Sequence, residues 1–267
     1  MEPRIFEAFR DLVYAKSGIS LREGKESMVS ARVAKRIRAL GLSSHEEYLR
    51  LVQADETGEE VVQLLDAIST NVTKFFREKE HFEFLSRVVG EWLKAGQRRF
   101  RFWSAASSSG EEPYTMSMVL AEAFSGFEVD WRLLATDIST RVLEKASRGE
   151  YAPEKVADVP EGLLRRHFER RGRGEDERWC VSERLRRPIL FKRLNLSTPP
   201  FPMQGPMDVI FCRNVMIYFD NDVRRRLLTD MYRLLKPGGY LMVGHAESLT
   251  GMVSDFKTVV PSIYVKG

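Results

Sequence analysis

The stretch from Trp103 to Tyr114 combines a run of small residues with two adjacent acids, Glu111 and Glu112. Small residues let a backbone approach a ligand closely, as glycines do in nucleotide-binding folds. Gly110 is its only glycine, so the stretch does not match the glycine-rich fingerprint that binds a pyrophosphate. The two carboxylates favour a cationic ligand, although acids at the start of a helix are also favourable without any ligand.

Asp137 ends a predicted strand further along the chain. A carboxylate at this place in an α/β sheet commonly accepts hydrogen bonds from the hydroxyls of an adenosine ribose, although aspartate is also an ordinary helix cap. Together with the acidic loop of small residues, Asp137 indicates a nucleoside that carries positive charge. S-adenosylmethionine, a sulfonium with an adenosine and an amino-acid tail, fits that description.

Two further stretches, residues 69–78 and 208–219, place polar side chains beside aromatic ones. Each polar residue there also has a purely structural interpretation, as a helix cap, a surface ion pair or a packed aromatic. The side chains with candidate functional roles are Asn71, Thr73, Arg77, Arg213, Asn214 and Tyr218.

The elements that position these residues divide the chain into two parts. The first 66 residues predict helices and no strand: the apolar residues recur at helical spacing, Gly18 ends the first helix, and Gly41 ends a second helix over Ser27 to Leu40. A basic arc lies beside the apolar stripe of this second helix. The arc consists of Arg32, Lys35, Arg36 and Arg38.

From Arg98 onward, predicted strands alternate with helices, which indicates βαβ units and a parallel sheet with helices on both faces. A turn is predicted at 237–239, and a last strand at 258–265 with a bulge or break at its proline. Residues 165–193 interrupt the alternation with a strongly basic segment. We interpret this segment as an inserted β-ribbon whose short antiparallel strands lie at 179–185 and 188–194.

Composition limits the class of protein. The chain has 267 residues with 42 Lys and Arg against 38 Asp and Glu, so an electrostatic partner must be bound by a local patch. Its two cysteines cannot form a disulfide framework. No apolar run reaches the ~18 residues of a membrane span, and no signal peptide is recognisable. No histidines or cysteines stand at ligand spacing, so no structural zinc site is predicted. We expect a cytoplasmic protein.

Several long motifs, in order and spanning essentially the whole chain, closely resemble those of the chemotaxis receptor methyltransferases, the CheR family. The motifs are SxNVTxFFRE at 69–78, WSAASSSGEEPYT at 103–115, ATDIST at 135–140, NL at 195–196, FCRNVMIYFD at 211–220 and LLKPGGYLMVGHAESL at 234–249.

The resemblance implies an α/β fold of the class I S-adenosylmethionine-dependent methyltransferases. This fold is Rossmann-like, with a mostly parallel seven-stranded sheet, a small all-α N-terminal domain and an inserted antiparallel β-subdomain. The implied divisions are a helical, receptor-docking domain at 1–68, a linker contributing to the cofactor site at 69–80, a methyltransferase domain at 81–267 and the β-subdomain insert at about 168–193.

The resemblance also implies a protein-glutamate O-methyltransferase that acts in chemotaxis-type adaptation. It would convert glutamates of membrane-bound chemoreceptors into γ-glutamyl methyl esters, with S-adenosylmethionine as donor, S-adenosylhomocysteine as product and no metal. Arg77 and Tyr218 match polar residues near the transferred methyl group. Ser107 and Ser109 stand where many members carry other small residues. The implied cofactor-binding residues are Asn71, Thr73, Arg77, Glu112, Asp137, Asn195, Leu196, Arg213 and Asn214.

A glutamate substrate is already ionised at pH 7, because its reference pKa is about 4.3. A one-step transfer from the sulfonium to the carboxylate therefore needs no general base, and positioning should outweigh acid–base chemistry. We expect Arg77 to orient the carboxylate or the cofactor, Tyr218 to line the methyl channel, Asp137 to hold the ribose and Glu112 to pair with the cofactor's positive end.

The expected partner is the cytoplasmic helical domain of a methyl-accepting chemotaxis receptor. Its glutamate-rich helices would dock on the basic arc, which is otherwise a solvated face. In the family the β-subdomain can capture a peptide at the receptor's C-terminus, and residues 168–185 resemble that element. Neither nucleic acid nor membrane insertion is expected.

Three other classes fit less well. A nucleic-acid methyltransferase would suit the basic insert, but its [DNS]-P-P-[YF] signature is absent, since the nearest match at 198–201 begins with threonine. A non-catalytic receptor scaffold is disfavoured by the intact Arg77, Asp137 and Tyr218. A nicotinamide-dependent dehydrogenase lacks its glycines.

Overall fold

The computed structural model describes residues 1–69, 71–249 and 255–267. Helices precede and then flank a central sheet. The α-helices are α1 (Pro3–Ser17), α2 (Glu26–Leu40), α3 (His45–Gln53), α4 (Glu59–Ile68), α5 (Glu80–Lys94), α6 (Glu111–Ala123), α7 (Thr140–Arg148), α8 (Glu161–His167), α9 (Glu183–Arg186) and α10 (Asn221–Leu234). None of the helices within these residues is long and apolar enough to cross a membrane.

The strands fall into a large sheet and a small one. They are β1 (Arg99–Ala105), β2 (Asp130–Asp137), β3 (Glu150–Tyr151), β4 (Phe168–Arg171), β5 (Arg178–Val181), β6 (Ile189–Arg193), β7 (Met207–Cys212), β8 (Leu235–Val243), β9 (Phe256–Val260) and β10 (Ile263–Lys266). The large sheet has seven strands in the order β6-β2-β1-β7-β8-β10-β9, and the small sheet has the order β3-β5-β4.

The N-terminal helices α1–α4 form a bundle, as their apolar periodicity predicts. Gly18 and Gly41 end α1 and α2 in the left-handed conformation, with φ of 70° and 68°, and Ser44 caps α3 through a bond from the backbone N–H of Glu47. These ends are local backbone requirements that glycine and serine meet. The core of the bundle includes Phe6, Phe9, Val13, Val29, Val33, Ile37, Tyr48 and Leu64.

The large sheet is parallel from β6 to β8 and antiparallel at β10 and β9. All six residues of β7 are buried, which agrees with the prediction of a central parallel strand. Apolar clusters cover both faces of the sheet. This is the predicted architecture of a class I methyltransferase, with an all-α N-terminal domain and a separate antiparallel β-subdomain.

The predicted strands of the insert are wrong in two respects. The strand predicted at 179–185 ends at Val181, because Glu183–Arg186 form the helix α9. Residues 188–194 do not pair with 179–185; instead β6 pairs in parallel with β2, from Leu133↔Ile189 to Asp137↔Arg193. The strand β6 thus occupies the free edge of β2. Its Phe191 also packs against Tyr114 of α6, at 5.9 Å between ring centroids, which helps to hold β6 in the large sheet. The small sheet instead begins upstream, at β3.

Two smaller differences lie near the C-terminus. The predicted turn at 237–239 lies inside β8. The pairing of β8 with β7 shifts register there, and Gly238 adopts the left-handed conformation within the shifted segment. The single strand predicted at 258–265 is a hairpin, β9 and β10, broken at Pro261 and Ser262. A proline without an N–H explains the break.

The helical bundle contacts the sheet domain through the end of α1. Asn195 donates from Nδ2 to the carbonyl of Lys16 at 2.9 Å, and the N–H of Ser20 donates to the carbonyl of Tyr218 at 2.8 Å. A Cβ on Gly18 would lie 2.4 Å from the Cβ of Ser197. The close approach at this glycine therefore lets the bundle cover the carboxyl ends of the strands.

Candidate active site

A cavity of about 690 Å³ lies at the carboxyl ends of β6, β2, β1 and β7, with the bundle forming its other wall. Its size is in the range of small-molecule sites, and it lies where the strand order reverses on either side of β1, the usual ligand position in open α/β sheets. Every predicted cofactor-binding and catalytic residue lines it. They are Asn71, Thr73, Arg77, Glu112, Asp137, Asn195, Leu196, Arg213, Asn214 and Tyr218.

The loop between β1 and α6 has no room for a side chain at Gly110. A Cβ on Gly110 would lie 2.9 Å from the Cβ of Ala146. The two acids that follow have different surroundings. Glu111 is fully buried and accepts a bond from the Ser109 hydroxyl at 2.7 Å, whereas Glu112 lines the cavity. Of these two acids, Glu112 lines the cavity and Glu111 does not.

Asp137 lines the cavity but does not cap α7, whose N-cap is Ser139. Its Oδ2 accepts from the N–H of Ser108 at 2.9 Å, and its Oδ1 accepts from the N–H of Ser139 at 3.0 Å. These bonds hold the turns after β1 and β2 against each other, and burial raises the pKa of the carboxyl. A carboxylate oxygen can accept more than one hydrogen bond, so both oxygens retain capacity for the hydroxyls of a ligand.

Arg213 is the centre of a buried ion network behind the cavity. Its side chain is 1% exposed, with Nη1 2.9 Å from Oε2 of Glu112 and Nη2 3.0 Å from Oε2 of Glu78. Nη2 also donates to the backbone carbonyl of Arg77. Burial raises the pKa of Glu112, and Arg213 opposes this effect. Glu112, expected to pair with the positive end of a cofactor, thus already has a cationic partner.

Arg77 and Tyr218, the predicted catalytic residues, keep most of their polar groups available. Arg77 is half-buried, and its Nη1 donates to the carbonyl of Val72 at 3.0 Å. Tyr218 lies on a short 3-10 helix (Met216–Tyr218) whose backbone is held by Ser20. Within the described parts of the chain, no protein group hydrogen-bonds the Tyr218 hydroxyl, so it is available to a substrate or a cofactor.

Asn195 and Leu196 line the cavity through the loop after β6. The Asn195 side chain is engaged with protein at both ends, because Nδ2 bonds to Lys16 and Oδ1 accepts from the N–H and hydroxyl of Ser197 at 3.0 and 2.9 Å. Leu196 is buried. The geometry therefore gives Asn195 a role in joining the two domains, beside any contact with a ligand.

Two glutamates that the sequence interpretation did not select hold the site together. Glu78 bonds to Arg213 and, at 3.4 Å, to Nδ2 of Asn214. Glu247 accepts the N–H groups of Asn214 and Gly244, at 2.6 and 2.8 Å. Both lie inside the quoted motifs, FFRE and GHAES, so the motifs themselves were the signal that could have identified them.

Two buried donors on cavity-lining residues have no partner among the described residues: Nδ2 of Asn71 and Nε of Arg213. Buried donors without acceptors are rare and costly in folded proteins. A ligand with carboxylate and hydroxyl oxygens would satisfy them. S-adenosylmethionine carries both kinds of oxygen, so the donor set of this cavity fits that cofactor.

The basic arc on α2 is only partly exposed. Arg36 makes a bidentate ion pair with Glu60, at 2.7 and 2.6 Å, and Arg32 donates to the backbone carbonyls of Ile68 and Ser69 while lining the cavity. Lys35 and Arg38 are exposed. Of the four predicted docking residues, these two present their charges most freely to solvent.

Comparisons with known proteins agree with this architecture. The family model described as CheR methyltransferase, all-alpha domain, matches residues 4–69, and that described as CheR methyltransferase, SAM binding domain, matches residues 71–265. A chemotaxis protein methyltransferase of Salmonella typhimurium is 37% identical over 97% of this chain and 88% of its own length. Those of Borreliella burgdorferi and Pseudomonas aeruginosa (number 2) are 35% and 38% identical, over 96% and 97% of this chain and 91% of their own lengths. The chain therefore belongs to the CheR family of chemotaxis protein methyltransferases, whose cofactor is S-adenosylmethionine.

Proposed function

We propose that this protein is a cytoplasmic protein-glutamate O-methyltransferase that converts glutamates of chemoreceptors into γ-glutamyl methyl esters. The observation that carries the proposal is the convergence of all the implied cofactor and catalytic residues on one cavity between the helical bundle and the sheet. The cavity is lined by positive side chains on its bundle side, among them Arg22, Lys25 and Arg32. These charges suit an anionic substrate side chain.

The reaction needs positioning more than proton transfer. When bound, S-adenosylmethionine supplies a methyl group on a positive sulfur, so attack by a carboxylate oxygen forms the ester as the sulfur keeps the electron pair of the broken bond. No proton moves in this step, and among the described residues that line the cavity there is no histidine. The chain's task is to hold the two reactants in line and to keep water out.

Arg77 and Tyr218 are suited to this task. Arg77 donates one bond to Val72, which leaves further N–H groups of the guanidinium to fix the plane of a substrate carboxylate. The free hydroxyl of Tyr218 lines the same cavity, where it can narrow the path between the carboxylate and the methyl group. Asp137 would hold the ribose, and the orphaned donors of Asn71 and Arg213 would hold the carboxylate of the amino-acid tail.

Replacing Asp137 by alanine is expected to weaken binding of S-adenosylmethionine and S-adenosylhomocysteine at least tenfold, because the ribose hydroxyls lose their acceptor. Calorimetric titration of both ligands measures the change. Asp130→Ala is the matched control, since it removes an exposed carboxylate from the other end of the same strand. If the unmodified folded protein binds neither ligand, or if both variants bind equally well, the assigned cofactor site is wrong.

We also propose that Lys35 and Arg38 dock the acidic helices of the receptor. A double variant, Lys35→Glu with Arg38→Glu, is expected to lower kcat/KM for receptor methylation about tenfold at low salt, and less at high salt because screening weakens the contact. Affinity for S-adenosylmethionine should stay the same. Arg36 is left unchanged because its reversal would break the ion pair with Glu60.

The control for the docking test is Lys94→Glu with Arg99→Glu. Both residues are exposed. They lie at the end of α5 and the start of β1, at the opposite end of the strands from the cavity. The control changes the net charge of the protein by the same amount as the Lys35→Glu, Arg38→Glu variant. An equal fall in receptor methylation for both double variants would show that total charge, rather than this surface of α2, governs the association.

The small sheet is the candidate site for a receptor's C-terminal peptide. β4 is an edge strand of this sheet, and its exposed residues include Arg170 and Arg171. An extended peptide could add to such an edge through main-chain hydrogen bonds. Arg170 pairs with Glu177 and Arg171 with Glu169, so a terminal carboxylate would bind by exchange with these exposed partners.

A further inference from the structure

Two residues three positions apart meet a third, distant one behind the cofactor cavity. Glu78 follows the FFR segment, His81 lies in the first turn of α5, and His245 follows β8. One ligand-type atom from each residue lies within 4.8 Å of the others. His81 is 1% exposed, whereas His245 is exposed beside a second cavity, of about 350 Å³, that both histidines line.

The His81 ring is held on one side by the last hairpin. Its Nε2 lies 2.7 Å from the Ser262 hydroxyl oxygen, which also lies 2.5 Å from the carbonyl oxygen of Pro261. Nδ1 is therefore the ring nitrogen that remains to bind another group.

Nδ1 of His81 faces Glu78 without a hydrogen bond. It lies 3.5 Å from Oε2 of Glu78 and has no hydrogen-bond partner among the described residues. The same Oε2 also pairs with Arg213 at 3.0 Å. A buried ring nitrogen without a partner is rare in folded proteins, and a metal ion between Nδ1 and the carboxylate would give it one.

We propose that Glu78, His81 and His245 bind a divalent transition-metal ion, with zinc as the ion that this donor set fits best. Two imidazole nitrogens and one carboxylate oxygen are a common set of three protein ligands for Zn²⁺. The exposed ring of His245 and the second cavity give the ion a route from solvent and leave a coordination position open to water. Glu78 and His81 have the Glu-x-x-His spacing of a ligand pair, whereas His245 joins them only through the fold.

The ion would add a polar link between three segments whose apolar side chains already pack in one cluster, among them Phe82, Met242 and Ile263. Glu78 belongs to the loop that lines the cofactor cavity, and it also accepts bonds from Arg213 and Asn214. Through Ser262, His81 is bonded to the turn between β9 and β10. A bound ion would therefore fix one wall of the cofactor site against the last hairpin, and by mass action it would stabilise the folded chain.

The test uses the untagged, full-length protein stripped of metal. Titration of Zn²⁺ in competition with a chromophoric chelator is expected to give one ion bound per chain. His245→Ala should weaken that binding at least tenfold and remove the rise in Tm that zinc causes. The matched control is His45→Ala, because His45 is a half-buried histidine of the bundle whose Nε2 lies 3.0 Å from the Ser30 hydroxyl.

Bound Co²⁺ provides a second readout. Nitrogen and oxygen ligands give visible absorption without the charge-transfer bands of a cobalt–thiolate bond, which distinguishes this site from binding at Cys180 or Cys212. The proposal is overturned if the unmodified protein does not compete with the chelator for zinc. It is also overturned if the His245→Ala and His45→Ala variants bind zinc equally.

Discussion

Replacing Arg213 by leucine is expected to lower the free energy of unfolding by about 3–5 kcal/mol, the usual cost of removing one partner from a buried ion pair. The guanidinium is 1% exposed and bonds to both Glu112 and Glu78. It also lies over the rings of Phe82 and Phe211, at 5.4 and 5.8 Å from their centroids. The variant leaves two carboxylates facing each other without a cation. Urea denaturation at pH 7 measures the loss.

The loss should depend on pH in a defined direction. Burial already raises the pKa of Glu112, while the pKa of Glu78 is lowered because Arg213 and its other partners outweigh burial. Without Arg213, both pKa values rise above those of the unfolded chain. Such carboxyls bind more protons in the folded state, so they cost stability increasingly as pH rises through the range above about 4.3. The deficit of the variant should therefore be smaller at pH 5 than at pH 7.

Arg225→Leu provides the comparison. Arg225 is 60% exposed and pairs with Asp222, which is 80% exposed, on the surface of α10. Surface pairs of this kind contribute little, so its free energy of unfolding should change by less than about 0.5 kcal/mol, with no trend between pH 5 and pH 7. Equal losses for the two variants would contradict the central place assigned to Arg213.

The parts of the fold that follow from local sequence were predictable. Gly18 and Gly41 end their helices, and Ser139 caps α7, because each requirement involves neighbouring residues only. The apolar residues of β7, five of its six, likewise identify a buried parallel strand. Each of these predictions uses a short window of the chain.

Features that depend on distant residues were not predictable in the same way. The strand β6 has the composition of a ribbon strand, and only the free edge of β2 makes it the last strand of the large sheet. Similarly, the type of Glu112 suggested a partner for a cationic ligand, while its position beside Arg213 gives it a partner within the protein. The type of a residue indicates which kind of group it can bind, but the tertiary contacts decide which group it does bind.

Replacing Arg77 by alanine is expected to lower kcat/KM for methyl transfer about a hundredfold, the scale on which a misplaced reactant slows an enzyme. Arg77 lines the cavity on the loop before α5, and its side chain is bonded to protein only through the Val72 carbonyl, as far as the described residues go. The guanidinium is thus free to hold a carboxylate in line with the methyl group. Steady-state transfer of a labelled methyl group to receptor measures the effect.

Lys74→Ala separates this role from a general effect of charge. Lys74 lies on the same loop and lines the same cavity, but its side chain is 61% exposed and pairs with Asp158 at 3.3 Å. Its loss should change kcat/KM less than threefold, because a flexible exposed ammonium does not fix the geometry of a planar carboxylate. Arg77→Lys should recover only part of the rate for the same reason. If Arg77→Ala retains full activity, the orientation of the substrate must come from another residue of the cavity, and the assignment of Arg77 is wrong.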